Sequence, residues 1–319
     1  MSVITELRPG PLTAPKPDAS TLILADRLCK RFGGIRAVSD LDLEVRRGEV
    51  VGFLGPNGAG KTTTIRLLMG FINPSGGRCT VLGGSLRDEP RLKRRVGYLP
   101  GDFRMDQAMT GQDLFRWFAQ LRGRVDRKRI DELVERMHLD PTRTFGALSK
   151  GNRQKIGIVQ AFMHDPEVLI LDEPTSGLDP LIQRQFLDLV RDAAARGAAV
   201  LFSSHVLPEV ERLASRVAII RAGRLVTFST VDQVLDRARH RLELRFADPV
   251  PDNLFDGVPG VVSQEVDGQS VMVTLDGPVG PAMQVAAARP GLLRVSPAND
   301  ELEDLFVKLY DQSGGAGDA

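Results

Sequence analysis

Two hydrophobic rhythms alternate along the chain. Short apolar runs bounded by glycine or charge read as strands. They are "TLIL" from Thr21, "LDLEV" from Leu41 with its every-other-residue alternation, and "VVGFL" at 50–54, stopped by Gly55. "TTTIRLLMGF" then has helical spacing through Ile65, Leu68 and Met69. "RRVGYLP" (94–100) is another strand, closed by Pro100. Residues 111–122 place Leu114, Trp117, Phe118 and Leu121 at i, i+3, i+4 and i+7, a single helical stripe, and a second helix spans about 127–137. Beyond it, 152–165 reads as a helix, "EVLILDEP" as a buried strand, and 180–197 as a helix with Pro180 near its start and Gly197 past its end. "AAVLFSSH" is a strand, "LPEVERLA" a short helix, and "RVAIIRAGRLVTFS" a hairpin turning at Ala222-Gly223.

Strands alternating with helices predict an α/β fold on a mostly parallel sheet over 21–235. After Leu235 the pattern changes. "RLELRF" and "VMVTL" alternate with period two, and helices are expected at about 280–288 and 300–310, the second with Leu302, Leu305, Phe306 and Leu309 on one face. This predicts a small α+β domain over 240–311. Residues 1–20, rich in Pro, Ser and Ala, and residues 312–319 are expected to be flexible tails.

Composition acts mainly by exclusion. A formal net charge of +1 gives no electrostatic case for nucleic acid or an anionic membrane as partner. No run approaches the roughly 18 apolar residues of a membrane helix. Any membrane part is therefore expected from another chain, and the first residues lack the apolar core of a leader. The two cysteines, Cys29 and Cys79, stand outside any CxxC pattern, so they are expected to be reduced, buried filler in a cytosolic protein.

Gly55-Pro56-Asn57-Gly58-Ala59-Gly60-Lys61-Thr62-Thr63 carries the chemistry. Glycines free the backbone to wrap its N–H groups around phosphate oxygens, and the helix that follows points its positive end at the anion. In this pattern Lys61 reaches the terminal phosphates and the Thr62 hydroxyl ligates Mg²⁺. "VLILDEP" supplies the acids such a loop needs: Asp172 at a strand end for the metal, Glu173 beside it to polarise water. His205, after "VLFSS", stands at a strand end from which it can reach the γ phosphate.

"LSKGNRQ" (148–154), about twenty residues before Asp172, completes a set of motifs in a known order. With the phosphate loop, the Asp172-Glu173 strand, "SGLD" at 176–179 and His205, the chain resembles the ATP-binding subunit of an ABC transporter over about 21–235. That resemblance implies a P-loop ATPase domain with a helical subdomain at about 102–160. It implies ATP and Mg²⁺ as ligands, and a head-to-tail dimer in which Ser149 and Gly151 of one chain face the γ phosphate held by the other. It further implies that Phe32 stacks on adenine, that Asp179 organises the dimer seam, and that a separate integral-membrane permease holds the chain at the cytoplasmic face of the membrane. Phe103, Met105 and Met109 fall where the family meets that permease; packing within the helical subdomain is the other reading for Leu114, Trp117 and Phe118.

The signature departs from LSGGQ at Lys150 and Asn152, but keeps Ser149 and Gly151. The lid glutamine expected after "GYLP" is Gly101, which leaves Asp102 and Gln107 as substitutes. The ending "DELEDLF" (300–306) resembles the ATPases of drug and antibiotic exporters of the daunorubicin-resistance type. An importer ATPase or a soluble non-transport ABC ATPase stays open as the alternative. About 87 residues without sustained heptads separate Lys61 from Leu148, too few for the long coiled coil of the chromosome-maintenance branch.

Overall fold

The fragments "TLIL" and "LDLEV" prove to be the buried parts of longer strands. β1 (Thr21–Phe32) and β2 (Ile35–Arg46) form an antiparallel hairpin, because exposed residues such as Arg31 and Arg36 extend the ladder beyond the apolar stretch. These strands lie in a computed structural model that describes residues 19–123, 125–238 and 241–297. Two compact units divide the chain, Met1–Ser229 and Thr230–Ala319.

In the first unit β3 (Val50–Leu54) is buried along its whole length and runs into α1 (Lys61–Leu68). β4 (Gly76–Val81) then pairs with β1, so β2-β1-β4 is an antiparallel sheet of its own. Apolar periodicity does not disclose β4. Its start is glycine because a Cβ on Gly77 would stand 2.0 Å from the Arg27 carbonyl oxygen.

β5 (Val96–Leu99) leads into the helices α2 (Gly111–Arg122), α3 (Arg127–Arg136) and α4 (Lys150–Phe162). There follow β6 (Val168–Asp172), α5 (Pro180–Ala195), β7 (Ala199–Ser204), α6 (Leu207–Leu213), β8 (Arg216–Arg221) and β9 (Arg224–Thr230). The main sheet has the order β5-β6-β7-β3-β8-β9 and is parallel from β5 through β8. β3, β6 and β7 are apolar on both faces because helices and the antiparallel sheet cover them. The β8–β9 hairpin turns where expected, with φ of 44° at Ala222 and 77° at Gly223.

The stripe Leu114, Trp117, Phe118 and Leu121 lies only partly on the buried face of α2. Leu114 and its neighbour Phe115 are buried, whereas Trp117 is 46% and Leu121 50% exposed. Helical spacing marks an apolar stripe without saying whether this chain covers it.

The second unit holds α7 (Val231–Ala238), β10 (Arg241–Phe246), β11 (Val261–Asp267), β12 (Ser270–Leu275), α8 (Gly280–Ala288) and β13 (Leu292–Pro297). Its sheet, β11-β12-β10-β13, is antiparallel throughout, and its core gathers Leu244, Phe246, Phe255, Val271, Val273, Ala282 and Ala286. β11 and β13 escaped the periodicity reading because most of their side chains are not buried. The expected tail 1–20 (all but its last two residues), the helix at 300–310 and the tail 312–319 lie outside the described residues. Cys29 and Cys79 are free and half-buried, and burial pushes the Cys79 thiol up to about 11.

Just past α4, His164 has both ring nitrogens buried. Burial and the nearby Arg122 guanidinium push its pKa down to about 3. The folded state therefore disfavours a proton that the unfolded chain takes up near pH 6.5. Stability is complete above that pH and falls as pH drops toward 3, by about 2 kcal/mol between pH 7 and pH 5. Denaturant melts at the two pH values should show His164→Gln losing less over that interval than the parent chain.

Candidate functional site

Successive sheet strands deliver the site residues from their C-terminal ends. β3 leads into the glycine loop, β6 ends at Asp172 with Glu173 after it, and β7 runs into His205. In the first unit's parallel sheet this is the edge where ligands of open α/β folds bind.

The loop's shape follows from its glycines. Gly60 has φ 111°, and a Cβ there would stand 2.6 Å from the Ala37 carbonyl oxygen. Gly58 has φ 80° and faces open space. A cleft of about 170 Å³ is lined by Ala37, Pro56, Asn57, Gly58, Gly60, Lys61, Thr62, Thr63 and Glu173. At its floor α1 begins with no acidic residue in its first turn and no side-chain cap. Its first N–H groups and positive dipole end therefore stand ready for an anion.

Lys61 is buried. Its ammonium donates to the Gly55 carbonyl and, at 3.3 Å, to the Pro56 carbonyl, and pairs with Glu173 Oε1 at 3.2 Å. The other Glu173 oxygen, Oε2, meets His205 Nδ1 at 2.7 Å. Asp172, 2% exposed, accepts the Thr62 hydroxyl on Oδ2 at 2.9 Å and the Ser203 hydroxyl on Oδ1 at 2.6 Å. Joined by Ser203 Oγ, which accepts the Glu173 N–H at 2.9 Å, Lys61, Thr62, Asp172, Glu173 and His205 form one connected polar network. Ser203 belongs to it as well and was missed; its sign in the sequence was a polar residue at the end of an otherwise apolar strand.

Other expected residues stand elsewhere. Phe32, at the tip of the β1–β2 hairpin, is 50% exposed with the Lys30 ammonium 4.9 Å from its ring centre, so it is not core filler. Ser149 caps α4, accepting from the Asn152 N–H at 3.3 Å. Gly151 approaches the 176–179 turn so closely that a Cβ would lie 2.6 Å from the Gly177 carbonyl oxygen, and Lys150 donates to Ser176 Oγ at 2.9 Å. Asp179 caps α5, and the Ile182 N–H holds its carboxyl below the usual range.

Gly101 is the residue set against Asp172. A Cβ there would meet the Asp172 carboxylate at 3.5 Å, an ordinary contact, and its φ lies outside the left-handed region. The two candidate substitutes are turned elsewhere. Asp102 is paired with Arg104 at 2.7 Å, which holds its carboxyl below the usual range, and the Gln107 amide reaches the Met105 carbonyl at 3.5 Å.

A second cavity of about 500 Å³ opens beside the exposed stripe of α2, between Phe71, Tyr98, Phe103, Met105, Phe118 and Leu121. Phe103 itself is buried edge-on against Phe145 at 5.9 Å, so it forms a wall more than a protruding contact. Burial and the Asp172 charge push the Tyr98 hydroxyl up to about 12.

The family model described as "ABC transporter" matches residues 38–176. The chain is 34% identical over 303 residues to the bacitracin transport ATP-binding protein of Bacillus licheniformis, spanning 91% of this chain and 97% of that one. It is 38% identical over 222 residues to a daunorubicin resistance ATP-binding protein of Streptomyces coeruleorubidus, spanning 68% of this chain and 70% of the relative. Among solved structures, an ATP-binding subunit of an ABC transporter superposes with a TM-score of 0.64 at 30% identity, over 68% of this chain and 92% of that one.

The two glycines of the site predict opposite costs. Gly60→Ala forces a Cβ against backbone at a left-handed φ and should lower the unfolding free energy by about 2 kcal/mol or more. Gly101→Ala meets no such obstacle and should stay within about 0.5 kcal/mol of the parent, both variants being measured by urea titration.

Proposed function

The chain belongs to the ATP-binding subunits of ABC transporters, enzymes that hydrolyse ATP, and on that premise we propose that it drives export of a drug- or antibiotic-like cargo through a separate permease. Support for export comes from the bacitracin transport and daunorubicin resistance relatives, the first matched along nearly its whole length. The ATPase domain is the first unit and the second unit is its appendage. Among the described residues no helix is long and apolar enough to cross a membrane, so the reading assigns attachment at the cytoplasmic face to the permease.

The observation that carries the reaction is the network around Lys61. A buried ammonium at a positive helix end is surrounded by carbonyls and a single carboxylate, Glu173. Phosphate oxygens entering the cleft take over the pairing with Lys61. Glu173 Oε1 is then released to accept a proton from water, while His205 holds the other carboxylate oxygen. Gly55, Pro56, Asn57, Gly58, Ala59, Gly60, Lys61, Thr62 and Thr63 form the phosphate-binding segment, and Phe32 offers its exposed ring to the base.

Thr62 and Asp172 fit a magnesium ion. Both present hard oxygens 2.9 Å apart beside the cleft, and among the described residues no cluster of three or more His, Cys, Asp or Glu would form a cage without phosphate. Magnesium bound there draws negative charge from the phosphoryl oxygens.

Hydrolysis needs two chains, each cleft closed by Ser149, Gly151 and Asp179 of the other. α4 begins, like α1, with no acidic residue in its first turn, so the phosphate lies between two positive helix ends. The apolar groove beside α2 is the permease contact.

Purified Glu173→Gln should lose at least about a hundred-fold in turnover while binding ATP in calorimetry, and with magnesium and ATP should shift to the mass of two chains by light scattering. Wild-type turnover in that variant would remove the assignment. Lys61→Ala should abolish binding in the same titration. Leu121→Glu should bind and hydrolyse ATP as the parent does, yet fail to co-purify with the permease.

A further inference from the structure

Glu173 has φ 48°, a left-handed backbone that a residue with a Cβ disfavours. Such a conformation persists only where its surroundings impose it. Two side chains do so from opposite sides. Ser203, on β7, accepts the Glu173 N–H on its Oγ at 2.9 Å while donating its own proton to Asp172 Oδ1 at 2.6 Å. Gln154, on α4, donates its Nε2 hydrogens to the carbonyls of Glu173, at 3.2 Å, and Pro174, at 2.9 Å.

Both residues are hidden from solvent, Ser203 at 0% and Gln154 at 4% exposure. A buried amide on the helix that carries Ile156, Val159 and Phe162 into the core calls for a polar reason. The two carbonyls supply it. Glu173 is thus fixed through its peptide groups, and its carboxylate is the only part left to meet Lys61 and His205.

We propose that Ser203 and Gln154 are positioning residues for water activation: a clamp that holds the Glu173 peptide in its left-handed turn and so aims the carboxylate. The proposal rests on the reading of Glu173 as the group that takes the proton from water. Its reach goes further than one residue, because Gln154 stands on the helix that starts at Ser149. A displacement of α4 when its N-terminus meets the partner chain's phosphate is passed through this amide to the Glu173 peptide. The signature and the water-activating group of the same chain are thereby mechanically joined.

The test uses the full-length chain with Gln154→Met, which keeps length and removes both donors, and Ser203→Ala, which removes a single oxygen. Each is made alone and together with Glu173→Gln, and thermal melts check that all fold. Each single variant should lower kcat by about ten- to a hundred-fold with KM for ATP within about threefold of the parent. In the Glu173→Gln background Gln154→Met should lower the residual rate no further, since the group it aims is gone, while Ser203→Ala should lower it less than it lowers the parent's kcat, by the share due to the donor that Asp172 Oδ1 loses. Parent-like kcat in both single variants, or an equal additional loss in the Glu173→Gln background, overturns the clamp and leaves the role of Glu173 intact. Parent-like turnover in Glu173→Gln by itself overturns that role and the clamp with it.

Discussion

A buried ammonium at the positive end of a helix is the constraint from which the first unit is built. Lys61 opens α1, where the dipole repels it, and burial removes the water that would screen it. The Gly55 and Pro56 carbonyls and the Glu173 carboxylate hold it there. That arrangement favours an anion, which can take the place of the Glu173 carboxylate beside the ammonium.

The sheet exists to bring those groups together. β3 supplies the loop, β6 the two acids and β7 both Ser203 and His205, and parallel pairing in register puts their ends side by side. Asp172 stands directly opposite Ser203 on the neighbouring strand. A single hydroxyl then serves two functional residues, accepting from the Glu173 amide and donating to the Asp172 carboxylate. This economy ties the Asp172 carboxylate to the Glu173 peptide through one oxygen.

The chain's departures from the family pattern have physical readings. Lys150, in place of a signature glycine, lies along Gly177 and donates to Ser176, joining the start of α4 to the turn before α5. Gly101 is required neither by backbone conformation nor by packing, and what its missing side chain leaves is clear space on the Asp172 carboxylate. The apolar side of α2 borders a groove instead of the core, which is why the stripe of Trp117, Phe118 and Leu121 misleads as evidence for packing.

By itself the sequence determined the α/β class, the glycine loop before α1, the acids at the end of β6 and the order of the motifs. Each is written in local terms, such as an apolar run, a glycine at a forced φ or a helix cap, and short-range sterics act the same way in any context. Only the tertiary structure decided that β4 joins β1, that β11 pairs with β12 and β13 with β10, and that Phe32 faces solvent, because ladders between distant segments and burial depend on the whole chain's packing. The hydrogen bonds on the Glu173 peptide belong to the same class. Gln154 and Ser203 reach it from nineteen and thirty residues away, and a serine or glutamine carries no mark in sequence of which buried peptide it is to satisfy.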